Sequence, residues 1–140
     1  MISLENIKKI SEKYGSPFFL VSEKKIKENI DLFKKSFSIY KGNFILGYSV
    51  KTNPLTGILK IMKKYGVVSE CASSIDIESS LAAGYRYSDI VYAGLFKSHE
   101  SLNNSVNNNI KLINIESIQE AEELYDIWKK KNKKIKVGIR

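Results

Sequence analysis

Apolar positions in this chain recur in two rhythms. Ile26, Ile30, Phe33 and Phe37 fall at i, i+4, i+7 and i+11, while Leu55, Ile58, Leu59, Met62 and Tyr65 form a second stripe and Ile118, Ala121, Leu124, Tyr125 and Trp128 a third. Spacing of this kind lines one face of an α-helix. Ser117 with Glu120 offers a capping box where the third stripe starts. Leu102 and Val106, after Ser98, make a weaker pattern of the same sort. Between the stripes lie short, continuous apolar runs with β-branched residues: Phe44-Ile45-Leu46, Val67-Val68, Ile90-Val91-Tyr92, Leu112-Ile113 and Ile135 to Ile139. Buried parallel strands read this way. Pro17 to Val21 reads as a further, earlier strand.

The centres of the five later runs are spaced by roughly 22 to 24 residues, the length of one strand–helix unit with short loops. Strand and helix alternate with no hairpin signal. The pattern therefore predicts an α/β chain with a parallel sheet, either open or closing into a barrel. No Gly/Ser linker breaks it, and 140 residues suit one domain with a core of its own.

Charge changes this picture little. The formal net charge of +8 raises the question of an anionic partner, and Lys129-Lys130-Lys131-Asn132-Lys133-Lys134 is the densest basic run. It carries no interleaved aromatics or arginines, and lysines abound along the whole chain, so nucleic acid is not the partner expected. Cys71 is the sole cysteine, which excludes an internal disulfide and fits a reducing compartment. With no histidine near it in sequence, it reads as a small buried hydrophobe. The N-terminus lacks the apolar core of a signal peptide, and no run approaches a membrane span, so a cytoplasmic protein is expected. No paired-His or Cys-x-x-Cys spacing points to a metal.

In parallel α/β architectures, reactive groups gather at the carboxyl ends of the strands. The first run delivers Tyr48 and Lys51, the second Glu70, Cys71 and Ser73, the third Ala93-Gly94, the fourth Asn114 and Glu116, and the last Arg140. A lysine amine on such a rim can form a Schiff base with an aldehyde. Pyridoxal 5'-phosphate requires that chemistry of its protein.

Six motifs in order carry a resemblance. Tyr14-Gly15-Ser16-Pro17-Phe18 looks like a YGTP-type entry, and Tyr48-Ser49-Val50-Lys51-Thr52-Asn53 like a YAVKAN-type motif. Ser69 to Ile77 is similar to an FDCAS segment and its continuation, and Leu81 to Gly84 followed by Ile90 to Ser98 to the order ALAAG, IVFSGNGKS. Asn114-Ile115-Glu116-Ser117 looks like NVES, and Val137 to Arg140 like a strand ending in an arginine. The chain thus resembles the fold-type III pyridoxal-phosphate enzymes, in particular the ornithine and diaminopimelate decarboxylases. The alanine racemases, also of this group, usually follow their lysine with a longer AYGHG-type run, absent here.

The resemblance implies a partial (β/α) TIM-type barrel of about five parallel strands, preceded by a helix and one strand that in the relatives joins a second domain. Residues 1–22 would be that helix and strand, and 23–140 the N-terminal portion of a pyridoxal-phosphate-binding barrel. Lys51 would form the internal aldimine. Glu70, where the family usually has Asp, Asp76, where it often has Glu, and Arg140 would bind the cofactor beside it. His99 does not match the family's ring-stacking histidine, which arises later in the chain. That histidine, the Gly-rich phosphate cradle and the carboxylate for the pyridine nitrogen would all lie beyond the fifth strand. The chain alone would then be incomplete for catalysis on its amino-acid substrate, and would need a homodimer or a missing C-terminal half. Two other readings stand beside this one: a non-catalytic fragment that still binds the cofactor, and a basic interaction domain built on Lys129 to Lys134.

Overall fold

The computed structural model describes residues 2–140. Two helices open the chain, α1 (Leu4–Tyr14) and α2 (Glu23–Ser36). Strands and helices then alternate: β1 (Gly47–Ser49), α3 (Thr56–Lys64), β2 (Val68–Cys71), α4 (Ser74–Ala82), β3 (Ile90–Tyr92), α5 (His99–Asn107), β4 (Leu112–Ile115), α6 (Ile118–Lys131) and β5 (Val137–Ile139). Serine marks nearly every helix start. The hydroxyls of Ser3, Ser22, Ser73, Ser98 and Ser117 each accept a backbone N–H of the first turn, satisfying a donor that has no partner within the helix. At the far end of α6, Asn132 takes the left-handed conformation that stops the helix.

The described strands form a single five-stranded sheet, all neighbours parallel, in the order β1-β2-β3-β4-β5. Strict sequence order decides between the two architectures the pattern left open. A doubly wound sheet reverses its strand order at a switch point, whereas a (β/α) barrel adds each strand beside the last. Right-handed crossovers in one direction put the helices on one face. That face holds the core: Tyr48, Ser69 and Ile90 form one row, Val50, Cys71, Tyr92 and Ile113 the next, and Leu59, Ile77, Leu102, Val106, Leu124 and Ile127 cover them. Each fully buried aliphatic side chain contributes roughly 1.5–3 kcal/mol. The opposite face carries Ser49, Glu70, Val91 and Leu112 in one register row, above an open groove of about 330 Å³ also lined by Ile45, Gly47 and Val68.

Two expectations need correction. The first strand lies three residues later than Phe44-Ile45-Leu46, because β2 starts at Val68 and reaches back only as far as the Leu46 carbonyl. Phe44 and Ile45 therefore stay exposed. Pro17 to Val21 pairs with no described strand, and Phe19, Leu20 and Val21 are exposed. An extended run becomes a strand only where a neighbour takes up its N–H and C=O groups. Helix α4 went unread because its buried face rests on Ile77 and Ser80, and a buried serine is invisible to an apolar count.

Candidate functional site

Lys51 stands two residues past the end of β1, in the 3-10 turn Val50–Thr52. Its neighbour Val50 is wholly buried against the helices and anchors the turn. Tyr48 Oη donates to the Asn53 carbonyl at 3.4 Å, and Asn53 Oδ1 accepts the Leu55 N–H at 3.2 Å, so the turn is tied on both sides. With Val50 inside, Lys51 is exposed, and no side-chain hydrogen bond or ion pair joins its ammonium to another described residue.

The other candidates are held more tightly. Glu70 is half-buried in the register row between Ser49 and Val91, on the concave face. Asp76 sits in the first turn of α4 and forms a true capping box with Ser73. Its Oδ2 accepts from the N–H groups of Ala72 (2.9 Å) and Ser73 (3.1 Å), which fixes the loop leaving β2. Arg140 follows β5; its N–H donates to the Ile115 carbonyl and its Nη1 donates to Glu116 Oε1 at 3.2 Å. Lys51 and Arg140 flank the sheet's two edge strands, four strand spacings or roughly 19 Å apart along it. Lys51 and Glu70 belong to adjacent strands, Arg140 to the far edge, and Asp76 serves its own loop.

Periodicity gave no sign of the most heavily bonded group on this rim. Lys97, in the loop between β3 and α5, has a side chain with no exposure, and its ammonium donates to three oxygens: the carbonyls of Gly94 and Asn114, each at 2.8 Å, and Glu120 Oε1 at 2.6 Å. Glu120 Oε2 in turn accepts the Glu116 N–H at 2.8 Å. Half of the expected Ser117–Glu120 box therefore forms: Ser117 Oγ accepts the Glu120 N–H, but the carboxylate turns to Glu116 and Lys97. Lys97 lies within the quoted Ile90 to Ser98 motif; its partner, 23 residues on, follows from no local rule.

Elsewhere, Cys71 is free and buried between Ser69 and Ser80, and burial pushes its thiol up. His99 opens α5 and pairs with Glu123 at the surface. In the basic run, Lys133 donates to the Asn107 carbonyl and Lys129 lies over the Tyr125 ring. Among the described residues no cluster of His, Cys, Asp or Glu could hold a metal ion, and no helix is long and apolar enough to cross a membrane.

An aldehyde-bearing, anionic cofactor asks for an unengaged amine, a cation and room. Lys51 supplies the first; Arg140, already paired with Glu116, carries a cation on the far side of the same rim. Room is supplied by the groove beside Glu70; at Gly138 the Asn114 amide oxygen already occupies the place a β-carbon would take. The residues present fit such a group.

Parallel strands in sequential order with helices along one face define the first part of a (β/α) barrel. Residues 23–140 match the pyridoxal-binding domain of the pyridoxal-dependent decarboxylases, and the chain belongs to that family. It is similar to the diaminopimelate decarboxylases of Aquifex aeolicus (29% identical over 96% of this chain) and Zymomonas mobilis (30% over 94%). The diaminopimelate decarboxylase structure from Helicobacter pylori, complexed with L-lysine, superposes with a TM-score of 0.84 at 27% identity over 96% of this chain and 34% of its own. The chain spans about a third of the length of the curated relatives it matches, 31% of the Aquifex and Zymomonas proteins.

Proposed function

We propose that this chain is the cofactor-holding portion of a diaminopimelate-type amino-acid decarboxylase, with Lys51 as the residue that attaches pyridoxal phosphate. One observation carries the reading: Lys51, in a motif that resembles the family's cofactor-lysine segment, is an amine held on a fixed turn yet bonded to no described neighbour. When bound, the cofactor supplies a conjugated ring that accepts the electron pair released as a substrate carboxylate leaves as carbon dioxide. Arg140 brings a positive charge to the rim for an anionic group, and Glu70 places a carboxylate on the concave face near the strand that delivers Lys51. Asp76 holds the loop after β2 in place. Diaminopimelate is the substrate favoured, because the relatives carry that activity and its loss of one carboxylate yields lysine, the molecule complexed in the Helicobacter pylori structure. The sheet edges at β1 and β5 leave backbone groups for another strand to pair, so we expect the working enzyme to complete the barrel with further chain and to self-associate.

Borohydride trapping tests this reading. Protein mixed with a low concentration of pyridoxal phosphate, reduced and digested, is expected to carry the label on Lys51, and Lys51→Ala to lose it. Label scattered over surface lysines and unchanged by the substitution would overturn it.

A further inference from the structure

We infer that the buried Lys97–Glu120 pair is a positioning device, setting Glu116 and through it Arg140 on the cofactor rim. A buried ion pair is a poor way to gain stability, since desolvation offsets most of the attraction and apolar residues of similar volume often serve as well. What the pair does here is geometric. The Lys97 ammonium gathers the Gly94 carbonyl from the loop after β3, the Asn114 carbonyl near the end of β4 and Glu120 from the first turn of α6. Tyr92 lies beneath it, the ring centroid 5.4 Å from Nζ. Both Glu120 oxygens are used, Oε1 by Lys97 and Oε2 by the Glu116 N–H. Glu116 is thereby fixed at its backbone, and its side chain, 11% exposed, presents Oε1 to the Arg140 guanidinium. The links run in one line: Lys97, Glu120, Glu116, Arg140.

Arg140 itself is over half exposed, and among the described residues it is tied outside this line only through its backbone N–H to Ile115. A long cation in water samples many rotamers. Glu116, held from behind, narrows that sampling and directs the charge along the rim. Neither Lys97 nor Glu120 reaches the groove, so both act through Arg140. This assignment rests on the proposed reading only for the claim that Arg140 faces a bound cofactor.

The test uses Lys97→Met with Glu120→Leu, a pair change that leaves no buried charge behind. Without cofactor, amide hydrogen exchange at Glu116 should speed up by roughly two- to tenfold, the effect of losing one hydrogen bond, beyond any general loss of protection in β2 and β3 from the Gly94 and Asn114 carbonyls that lose their donor. With pyridoxal phosphate bound, the pH midpoint of its visible absorbance should move in the same direction as in Arg140→Gln, and adding Arg140→Gln to the pair change should move it no further. Unchanged exchange at Glu116, or a midpoint shift that adds fully to that of Arg140→Gln, would overturn the assignment. If the pair change does not fold, Glu120→Gln keeps the volume, gives up one acceptor, and is read by the same two measurements. Should Arg140→Gln leave the midpoint untouched, the cofactor role of Arg140 fails, and the exchange experiment still decides whether the clamp exists.

Discussion

Two loops on the same rim each deliver a lysine just past a strand, and they treat it in opposite ways. After β1, Val50 goes inside and Lys51 is left in solvent with no described partner. After β3, Lys97 itself goes inside and finds three oxygens. An amine that must bond a ligand cannot already be spent on the fold, and an amine that is buried must be spent completely. The fold therefore separates the two by strand: β1 leaves an amine unengaged, while the loops of β3 and β4 and the start of α6 give rigidity. Gly94 shows how tight the second region is, because a β-carbon there would collide with the Ala72 carbonyl. Gly57, in the helix after β1, has nothing within 4 Å of that position.

The comparison breaks most visibly at Lys97. Lys97→Ala leaves Glu120 buried without its cation, together with two backbone carbonyls that lose their donor, and should cost about 3–5 kcal/mol of unfolding free energy. Urea denaturation measures it. A loss below about 1 kcal/mol would place Lys97 with ordinary surface residues.

How much of this the sequence disclosed depended on the range of the forces involved. Ile90-Val91-Tyr92 reads as a strand and is one, and the α2, α3 and α6 stripes became helices, because local spacing decides which face is buried. That a lysine stands in an exposed turn just past β1 could be anticipated from the motif around it. The Lys97–Glu120 pair could not, since a lysine before a serine cap looks the same on the surface and in the core until a distant carboxylate is placed beside it. Ser80 makes the same point on a smaller scale: it is fully buried, satisfied by the Asp76 carbonyl and Ser69, and no hydropathy rule would have put it there. Burial of polar groups is settled by partners, and partners are a property of topology.

The two glycines sharpen the contrast with effects of opposite sign. Gly94→Ala must push the Ala72 carbonyl aside, with a cost of roughly 1–3 kcal/mol from overpacking. Gly57→Ala meets open space in α3 and should stabilise by roughly 0.4–1 kcal/mol, chiefly by restricting the unfolded chain. Thermal unfolding of the two variants side by side reads both. If both destabilise equally, the β1 side is packed as tightly as the β3 side, and the proposed division of labour is lost.

The smallest expected effect on stability belongs to the residue with the largest expected effect on chemistry. Lys51→Ala removes an exposed side chain with no described partner, so unfolding free energy should stay within about 0.5 kcal/mol of the parent. Trapping of pyridoxal phosphate at the site should nonetheless vanish. The two readouts constrain each other. A variant that lost both would mean that Lys51 supports the turn after β1 as Lys97 supports its own loop, and the difference between the two rim lysines would collapse. A variant that kept its stability and lost its label would show that the turn is held by Val50, Tyr48 and Asn53 alone, leaving the amine free for a ligand.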